Sequence, residues 1–405
     1  MDPIVHQSPV AGLSSAPERE LVNAEQARAR SNSHVIVRAP ARRILSVVGA
    51  RPNFMKLAPL ARALASLGGV EHVVVHTGQH YDPEMSDAFF RELGMPTPHE
   101  NLGVGSGSHA QQTAGIMERI EPVLLAQQPD VVLVYGDVNS TVAAALVAVK
   151  LSVRVGHVEA GLRSRDWSMP EEINRVVTDR IADWLFTPSR DASDNLRHEG
   201  VPAERIHFVG NIMIDSLVAA LPAARALDAP GRHGVARMPY VVVTLHRPSN
   251  VDDPATLSDL LEALARLGRE RPILFPAHPR TRARIRDLGM QGRLAGKVRL
   301  LEPISYLEML GLVAGAAFVL TDSGGLQEET SYLGVPCLTV RPNTERPVTI
   351  TQGTNRLVSS RGDALLAAVR EVLAGGRTPA RPIERWDGHA AERIAAVLCK
   401  GECFE

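Results

Sequence analysis

The sequence predicts an α/β protein built from two doubly wound lobes with a cleft between them. Two observations carry this prediction. The chain has 405 residues, which is more than one hydrophobic core usually serves, so two domains are expected. In addition, short β-branched runs alternate with helical stretches from Arg43 onward, in two successive series. Such alternation is typical of parallel strands joined by crossover helices.

The strand candidates form one series before Gly210 and a second series after it. The first comprises residues 44–48, 70–76, 131–135, 153–158 and 184–186, and the second comprises residues 241–245, 273–277, 298–301, 318–321 and 337–340. The boundary is expected near Gly210, because the helical segment 212–226 leads from there to the second series. We therefore predict a first lobe over residues 43–210, a second over residues 211–380, and a C-terminal segment over residues 381–405. Residues 1–42 are polar and rich in Ser, Ala, Pro and Arg, without the apolar region of a signal peptide, and are expected to form a disordered extension.

Composition limits the classes of partner. The formal net charge of -1 provides no basic surface for nucleic acid or an acidic membrane. No run of roughly 18 apolar residues predicts a membrane span. The three cysteines, Cys337, Cys399 and Cys403, lack paired metal-ligand spacing and are too few for a disulfide framework. We therefore expect a cytoplasmic protein with a small-molecule partner and no metal site.

A phosphate-binding turn is predicted at residues 323–325, where strand candidate 318–321 gives way to a helical segment. Active sites of open α/β sheets lie beyond the carboxyl ends of the strands. Ser323, Gly324 and Gly325 would offer backbone N–H groups and the positive end of a helix dipole, and the missing Cβ atoms would let an anion approach. Glu329 lies about 9 Å along the helix from this turn, a distance at which its carboxylate could accept hydrogen bonds from ribose hydroxyls. The alternative is that Ser323 only caps the helix and Glu329 is a solvated acid.

Cationic side chains for a diphosphate are predicted on both lobes. Arg51 and Lys56 lie near the start of the first helix, and Arg346 follows the last strand candidate of the second lobe. Each of them alone is as well explained as a surface charge. The glycine-rich residues 103–107 do not fit the dinucleotide fingerprint, so no NAD is expected. The chain also has no G-x-x-x-x-G-K-[ST] segment, so ATP hydrolysis is not predicted.

Acid/base candidates follow the strands of both lobes. Asp137 and Glu159 each come after a strand candidate of the first lobe, and Glu171 opens a helix on which Arg175 shares its face. The alternative for Glu171 is compensation of the helix dipole.

His246 and His278 follow strands of the second lobe. One histidine in such a position is usually structural. Two in equivalent positions favour anion contact or proton transfer. No pair of histidines or cysteines has the spacing of zinc ligands.

The chain resembles one family through eight ordered segments. They read GARPNFMKLAPL, GDVNST, HVEAGLRS, MPEEINR, LHRPSNVDD, AHPRT, LTDSGGLQEET and ERPVT, and they are similar to those of the non-hydrolysing UDP-N-acetylglucosamine 2-epimerases. The similarity runs from about Arg43 to the last helix. It implies the GT-B fold of two Rossmann-like lobes, with a C-terminal helix, here residues 387–398, that crosses back to the first lobe.

The resemblance also implies a reaction without a redox cofactor. Members of the family convert UDP-N-acetylglucosamine to UDP-N-acetylmannosamine by expelling UDP, forming a 2-acetamidoglucal, and adding UDP again after reprotonation at carbon 2. By resemblance, the catalytic residues are Asp137, Glu159, Glu171 and His246. The UDP contacts implied by the resemblance are Arg51, His278, Ser323, Gly324 and Glu329. Further substrate contacts are expected at Lys56, Arg175, Arg247, Tyr306, Gly325 and Arg346. Whichever carboxylate acts as the acid is expected to have a raised pKa. Relatives of this kind also imply a homodimer.

One departure from the family pattern concerns a second, activating UDP-N-acetylglucosamine. Gln79 and His80 match part of that pattern, but residues 103–109 contain no arginine where the family has one. The same loop borders the sugar in such folds, so a modified substrate such as UDP-2,3-diacetamido-glucuronic acid is an alternative. A hydrolysing 2-epimerase, a GT-B glycosyltransferase and a sugar-nucleotide sensor are the other readings. The sensor is the least favoured, because it would not need Asp137, Glu159 and Glu171 together.

Overall fold

The computed structural model describes residues 42–79, 94–95, 97–296, 298–375 and 381–400. The predicted extension lies outside these residues except for Arg42, which begins the first strand. Within the part of the chain that the structure describes, no helix is long and apolar enough to span a membrane.

The first lobe contains a parallel sheet of seven strands in the order β3-β2-β1-β4-β5-β6-β7. These strands are β1 Arg42–Val48, β2 Val70–His76, β3 Glu100–Asn101, β4 Val131–Tyr135, β5 Arg154–Val158, β6 Trp184–Thr187 and β7 Ile206–Phe208. The strand order reverses between β1 and β4, which are paired in register from Ile44 with Val131 to Val47 with Val134. A reversal of this kind opens a crevice at the carboxyl ends of the strands.

The second lobe repeats the arrangement with six parallel strands in the order β10-β9-β8-β11-β12-β13. These strands are β8 Val241–Thr244, β9 Ile273–Pro276, β10 Val298–Leu301, β11 Phe318–Thr321, β12 Cys337–Val340 and β13 Asn355–Val358. The order reverses between β8 and β11, whose last paired residues are Thr244 and Thr321. The chain turns that follow these two strands are therefore neighbours.

Helices connect the strands and cover the sheets. They are α1 Arg51–Ala65, α2 His109–Gln127, α3 Asn139–Lys150, α4 Pro170–Ile181, α5 Arg190–His198, α6 Ile212–Ala226, α7 Ala229–Arg232, α8 Pro248–Val251, α9 Pro254–Leu267, α10 Pro279–Asp287, α11 Gln291–Leu294, α12 Tyr306–Gly315, α13 Gly324–Leu333, α14 Val348–Thr351, α15 Gly362–Gly375 and α16 Ala390–Lys400. Local sequence explains several of the helix starts. Proline occupies an early position in α4, α9 and α10, where its missing N–H costs nothing. Ser108, Asp253 and Ser305 cap α2, α9 and α12 by accepting a backbone hydrogen bond.

The prediction of two doubly wound lobes is confirmed, and every strand predicted from the sequence is present with its ends within two residues. The strands β3, β7 and β13 were missed. Each lies at an edge of its sheet and has only two to four residues. An edge strand buries little, so it lacks the apolar run on which the prediction depended.

The C-terminal helix α16 packs against α1 of the first lobe and against α6. A hydrophobic cluster joins apolar residues of α1, α6, α12 and α16. Gly210, at the predicted boundary, has a φ of 92°, and a Cβ there would lie 2.0 Å from the carbonyl oxygen of Arg385. The returning chain thus passes directly over residue 210, which only glycine can occupy without displacing it.

Candidate active site

The two turns that follow β4 and β5 bring a glycine and a carboxylate together in the first lobe. Gly136 has a φ of 62° and Glu159 a φ of 75°. A non-glycine residue in this region costs on the order of 1–3 kcal/mol, and such residues cluster at functional sites. A Cβ on Gly136 would lie 2.8 Å from Lys56 Nζ and 3.1 Å from Glu159 Oε2. The absence of a side chain at residue 136 is therefore what allows Lys56 and Glu159 to meet.

Lys56 and Glu159 form a buried ion pair, with the side chains only 6% and 5% exposed. Lys56 comes from α1 and Glu159 from the turn after β5, so the pair joins two edges of the crevice. A buried carboxylate needs such a counter-ion because desolvation penalises an isolated charge. Both residues were predicted for the site, and they are in direct contact.

Asp137, which follows Gly136, is held by Arg175. Arg175 Nη2 forms an ion pair with Asp137 Oδ2, while Arg175 Nη1 donates to Glu172 Oε2 over 2.7 Å. Glu172 in turn accepts hydrogen bonds from Ser164 and from the backbone N–H of Arg165. Burial alone would raise the pKa of Asp137, but the nearby cations, Arg175 above all, lower it below its ordinary value. The raised pKa expected of a catalytic acid is thus not found at Asp137, whose ionised state suits proton acceptance.

Glu171 occupies the first turn of α4, next to Glu172. It is partly buried, and its charge is felt by the guanidinium of Arg247 on the second lobe. The two lobes therefore approach each other closely at this point. The residue of α4 that pairs with Arg175 is Glu172, at i,i+3, rather than Glu171, with which the sequence predicted a shared face.

In the second lobe, Asp322 positions His246. The side chain of Asp322 is fully buried, and its Oδ1 lies 2.8 Å from Nδ1 of His246. The same carboxylate accepts the backbone N–H groups of His246 and Arg247 and the side-chain amide of Asn250. Burial would raise the pKa of Asp322, but the hydrogen bond and charge of the His246 side chain, together with the backbone N–H groups of Arg247 and His246, hold it below its ordinary value. His246 is 50% exposed and keeps Nε2 for other partners.

Arg247 and His278 are two further basic residues at this edge of the second lobe. The pKa of Arg247 is lowered by burial and by the charge of Arg341, against the opposite effect of nearby carboxylates. The pKa of His278 is lowered by burial and by the charges of His246 and Arg280. His278 is exposed and accepts the backbone N–H of Arg280 over 3.3 Å. A bound anion would oppose both shifts, because a negative charge favours the protonated form of each side chain.

The predicted phosphate-binding turn is the start of α13. Gly324 is the first residue of the helix, and the Ser323 side chain makes no capping hydrogen bond. Ser323 thus occupies the N-cap position without the side-chain hydrogen bond that the alternative interpretation requires. Ser323 N donates to Thr321 Oγ1 over 2.9 Å, which fixes the turn. A helix start of this kind presents N–H groups without intrahelical partners to an anion.

Arg346 connects this turn to the carboxylates of the first lobe. A Cβ on Gly324 would lie 2.8 Å from Arg346 Nη1, so the guanidinium lies against the first turn of α13. Arg346 Nη2 donates to Glu159 Oε1 over 3.0 Å, a contact between residues 187 positions apart. Arg346 also donates to Glu328 and Glu345. The phosphate-binding turn and the acid/base candidates are thus separated by one side chain.

Some predicted residues lie apart from this centre or outside the description. Tyr306 is buried in the hydrophobic cluster of α1, α6, α12 and α16, and Glu329 is buried on α13. His80 and the side chain of Arg51 lie outside the part of the chain that the structure describes.

The sequence interpretation gave no site role to four buried acidic residues, which are Glu172, Asp322, Glu328 and Glu345. The only sequence signal for these four residues was that each is adjacent to a residue predicted for the site.

The fold is that of a two-lobed GT-B protein, and its candidate site brings the start of α13 close to a set of buried carboxylates. A family model described as UDP-N-acetylglucosamine 2-epimerase matches residues 62–399. The chain belongs to this family, as the sequence motifs indicated.

Individual relatives agree with this assignment. The chain is 42% identical over 363 residues to a UDP-N-acetylglucosamine 2-epimerase of Methanocaldococcus jannaschii, covering 88% of this chain and 98% of the relative. It is also 42% identical over 363 residues to a UDP-2,3-diacetamido-2,3-dideoxy-D-glucuronate 2-epimerase of Pseudomonas aeruginosa, covering 88% and 99%. A crystal structure of the M. jannaschii UDP-GlcNAc 2-epimerase in complex with UDP-GlcNAc and UDP matches with a TM-score of 0.82 and 41% identity, covering 89% of this chain and all of that chain.

Proposed function

We propose that the protein inverts carbon 2 of a UDP-N-acetylhexosamine, converting UDP-N-acetylglucosamine to UDP-N-acetylmannosamine without net hydrolysis. One observation carries the proposal. Arg346 lies against the phosphate-binding turn and also donates to Glu159. A diphosphate held at Gly324 would therefore place the first carbons of its sugar beside the buried carboxylates of the first lobe.

The reaction has two chemical requirements that this arrangement can meet. The hydrogen on carbon 2 has no adjacent carbonyl, so it becomes acidic only when the bond from carbon 1 to UDP breaks. The helix start and Arg346 would stabilise the negative charge that develops on UDP. A carboxylate then removes the proton to give a 2-acetamidoglucal, and a second group returns a proton to the opposite face.

Different residues of the site meet these requirements. We assign proton transfer at carbon 2 to Asp137, Glu159 and Glu171, with His246, oriented by Asp322, facing the substrate from the second lobe. Lys56 and Arg175 pair with Glu159 and Asp137 and hold the two carboxylates in position. Because UDP leaves and returns, the cycle consumes neither water nor a redox cofactor, and we propose that none is used.

A second candidate substrate is UDP-2,3-diacetamido-glucuronic acid. It is favoured by the relative of that activity in P. aeruginosa, which is as similar to this chain as the M. jannaschii relative. Arg247, together with His278, which a bound anion would help to protonate, would suit an additional carboxylate. Both substrates use the same UDP contacts and the same chemistry at carbon 2.

Incubation with each UDP-sugar in deuterated water, followed by proton NMR, tests the proposal. Epimerisation places deuterium at carbon 2 and yields the UDP-mannosamine product. Release of free sugar together with UDP would support a hydrolysing enzyme instead, and transfer to an added acceptor would support a glycosyltransferase. If neither UDP-sugar exchanges hydrogen at carbon 2, the proposal is wrong.

We also propose a homodimer in the cytoplasm. Helices α2, α3 and α4 pack side by side and expose the apolar side chains of Leu125, Val149 and Ile173, as a surface for a second copy would. Cys337 and Cys399 are free thiols, which suits a reducing compartment. Light scattering tests the dimer, and a monomeric mass at micromolar concentration would contradict it. Fractionation of cells tests the location, since recovery outside the cytoplasmic fraction would contradict it.

A further inference from the structure

Three buried carboxylates surround the guanidinium of Arg346. Arg346 Nε donates to Glu328 Oε1 over 2.8 Å, Arg346 Nη2 donates to Glu159 Oε1 over 3.0 Å, and Arg346 Nη1 pairs with Glu345. All three carboxylates belong to residues that are at most 7% exposed. These contacts use three of the five N–H donors of the guanidinium, so a diphosphate that approaches Arg346 from the start of α13 competes with the carboxylates for the same positive charge.

The three carboxylates differ in what else holds them. Glu159 also pairs with Lys56, and Glu345 also pairs with Arg341. For Glu328, Arg346 is the only hydrogen-bond partner within the described residues, and Glu328 Oε2 is buried without one. Burial and the charge of Glu159 raise the pKa of Glu328, against the lowering effect of Arg346 and Lys56. Glu159 can thus lose Arg346 and remain compensated, whereas Glu328 cannot.

Glu328 is also placed to fix Arg346 at the phosphate-binding turn. It lies four residues after Gly324 on α13, so the two positions share one face of the helix. The Nε contact holds one edge of the guanidinium to this face, while Nη1 extends to within 2.8 Å of where a Cβ on Gly324 would be. Nη2, on the remaining side, reaches across to Glu159 on the first lobe.

We propose that Glu328 is a positioning residue that anchors Arg346 through Nε while the guanidinium exchanges Glu159 for a substrate phosphate. The inference depends on the proposed function, because it assigns a diphosphate to the start of α13. The exchange leaves Glu159 paired with Lys56 alone and frees Glu159 Oε1 at the moment when the sugar is in place. Binding of the leaving group and preparation of the base are thereby coupled through one side chain.

The direction in which substitution of Glu328 changes UDP affinity distinguishes the positioning role from a purely electrostatic one. If Glu328 contributed only negative charge near the phosphates, its removal would strengthen UDP binding by reducing repulsion. If it anchors Arg346, its removal leaves the guanidinium held by Glu159 and Glu345, and UDP binding weakens. Glu328→Gln keeps an acceptor oxygen for Nε, whereas Glu328→Met keeps the length of the side chain without an acceptor.

The test is calorimetric titration of the full chain with UDP, with thermal melting as the check on folding. We expect Glu328→Met to weaken UDP binding about tenfold, and Glu328→Gln to stay within about twofold of the unmodified protein. Glu159→Met removes the competing acceptor and should tighten UDP binding several-fold. In the Glu159→Met background, Glu328→Met should weaken UDP binding by no more than about twofold instead of about tenfold, a non-additive result that general destabilisation would not give. Glu371→Gln, which removes an exposed partner of Arg356, is the matched control and should change nothing.

Each outcome decides the proposal. Equal or tighter UDP binding by Glu328→Met overturns it, as does an additive double variant or an equal loss in the Met and Gln variants. If Glu328→Met does not fold, Glu159→Met decides alone, and unchanged or weaker UDP binding by that variant overturns the exchange. Failure of the unmodified protein to bind UDP or to exchange hydrogen at carbon 2 would instead refute the proposed function itself.

Discussion

The two lobes share one fold but present charge to the cleft in different ways. In the first lobe the carboxylates of Glu159 and Asp137 are already paired with Lys56 and Arg175, so most of the charge is compensated within the lobe. In the second lobe His246 is half-exposed, and burial and the charge of Arg341 lower the pKa of Arg247 despite the opposite effect of nearby carboxylates. The first lobe therefore holds groups that are fixed before the substrate arrives, and the second offers positive charge that an anion would complete.

This difference suggests a division of labour. Fixed, compensated carboxylates suit proton transfer, in which geometry must not change during the reaction. An uncompensated cationic surface beside a helix start suits binding, because the ligand supplies the missing charge. If the division is correct, damage to the first lobe should stop the chemistry and spare UDP binding, and damage to the phosphate-binding turn should do the reverse.

The largest effect is expected for Asp137→Asn. The amide keeps the shape of the side chain but cannot accept the proton from carbon 2, so the rate of deuterium exchange should fall by at least about a thousandfold. UDP affinity should remain within about threefold, because Asp137 belongs to the first lobe. Exchange is measured by NMR and affinity by calorimetry.

The control for Asp137→Asn is Asp363→Asn, an exposed carboxylate that pairs with Arg266. It should leave both measurements unchanged. Parallel loss of exchange and of UDP binding in Asp137→Asn would show that Asp137 holds the structure of the site together through Arg175 and does not act on the sugar.

The division of chemistry and UDP binding between the two lobes could be predicted only in part from the sequence. Residues at the ends of strands, such as Asp137, Glu159 and His246, were predicted because their position follows from the local pattern of strand and turn. The contact of Arg346 with Glu159 was not, since it joins residues 187 positions apart and depends on how the two lobes pack. Glu328 was missed in favour of Glu329, because consecutive helical residues point about 100° apart and sequence does not say which one faces the cleft.

A second prediction concerns Asp215, on the helix that leads from one lobe to the other. Its carboxylate accepts the backbone N–H groups of Ala390 and Ala391 at the start of α16, which packs on the first lobe. Burial raises the pKa of Asp215 from 3.8 to about 6, despite these two hydrogen bonds. Between those two pH values the folded state binds more protons than the unfolded state, so the folded state loses stability as pH rises through this window.

Asp215→Asn removes this titration. Relative to the variant, the unmodified protein should lose up to about 3 kcal/mol of unfolding free energy between pH 4 and pH 7, as measured by urea denaturation. Asp253→Asn gives the opposite test. Asp253 caps α9, and its hydrogen bonds with Thr256 lower its pKa, so there the unmodified protein should gain stability over the variant as pH rises. A difference between the unmodified protein and Asp215→Asn that does not change with pH would contradict the prediction.

The smallest effect is expected for Gly324→Ala, in the second lobe. The new Cβ would lie 2.8 Å from Arg346 Nη1 and 3.2 Å from Glu345 Oε1, so Arg346 must move away from the phosphate-binding turn. We expect UDP affinity to fall about tenfold, equivalent to about 1.4 kcal/mol. Exchange at saturating UDP-sugar should fall by less, because Asp137 and Glu159 keep their partners in the first lobe.

Gly292→Ala is the matched control, because a Cβ at residue 292 meets nothing within 4 Å. It should leave UDP affinity unchanged. The informative comparison is between Gly324→Ala and Asp137→Asn measured side by side. If Gly324→Ala lowers the saturated exchange rate as much as it lowers UDP affinity, binding and chemistry are not divided between the lobes. Arg346 would then contribute to the transition state as strongly as to the bound substrate.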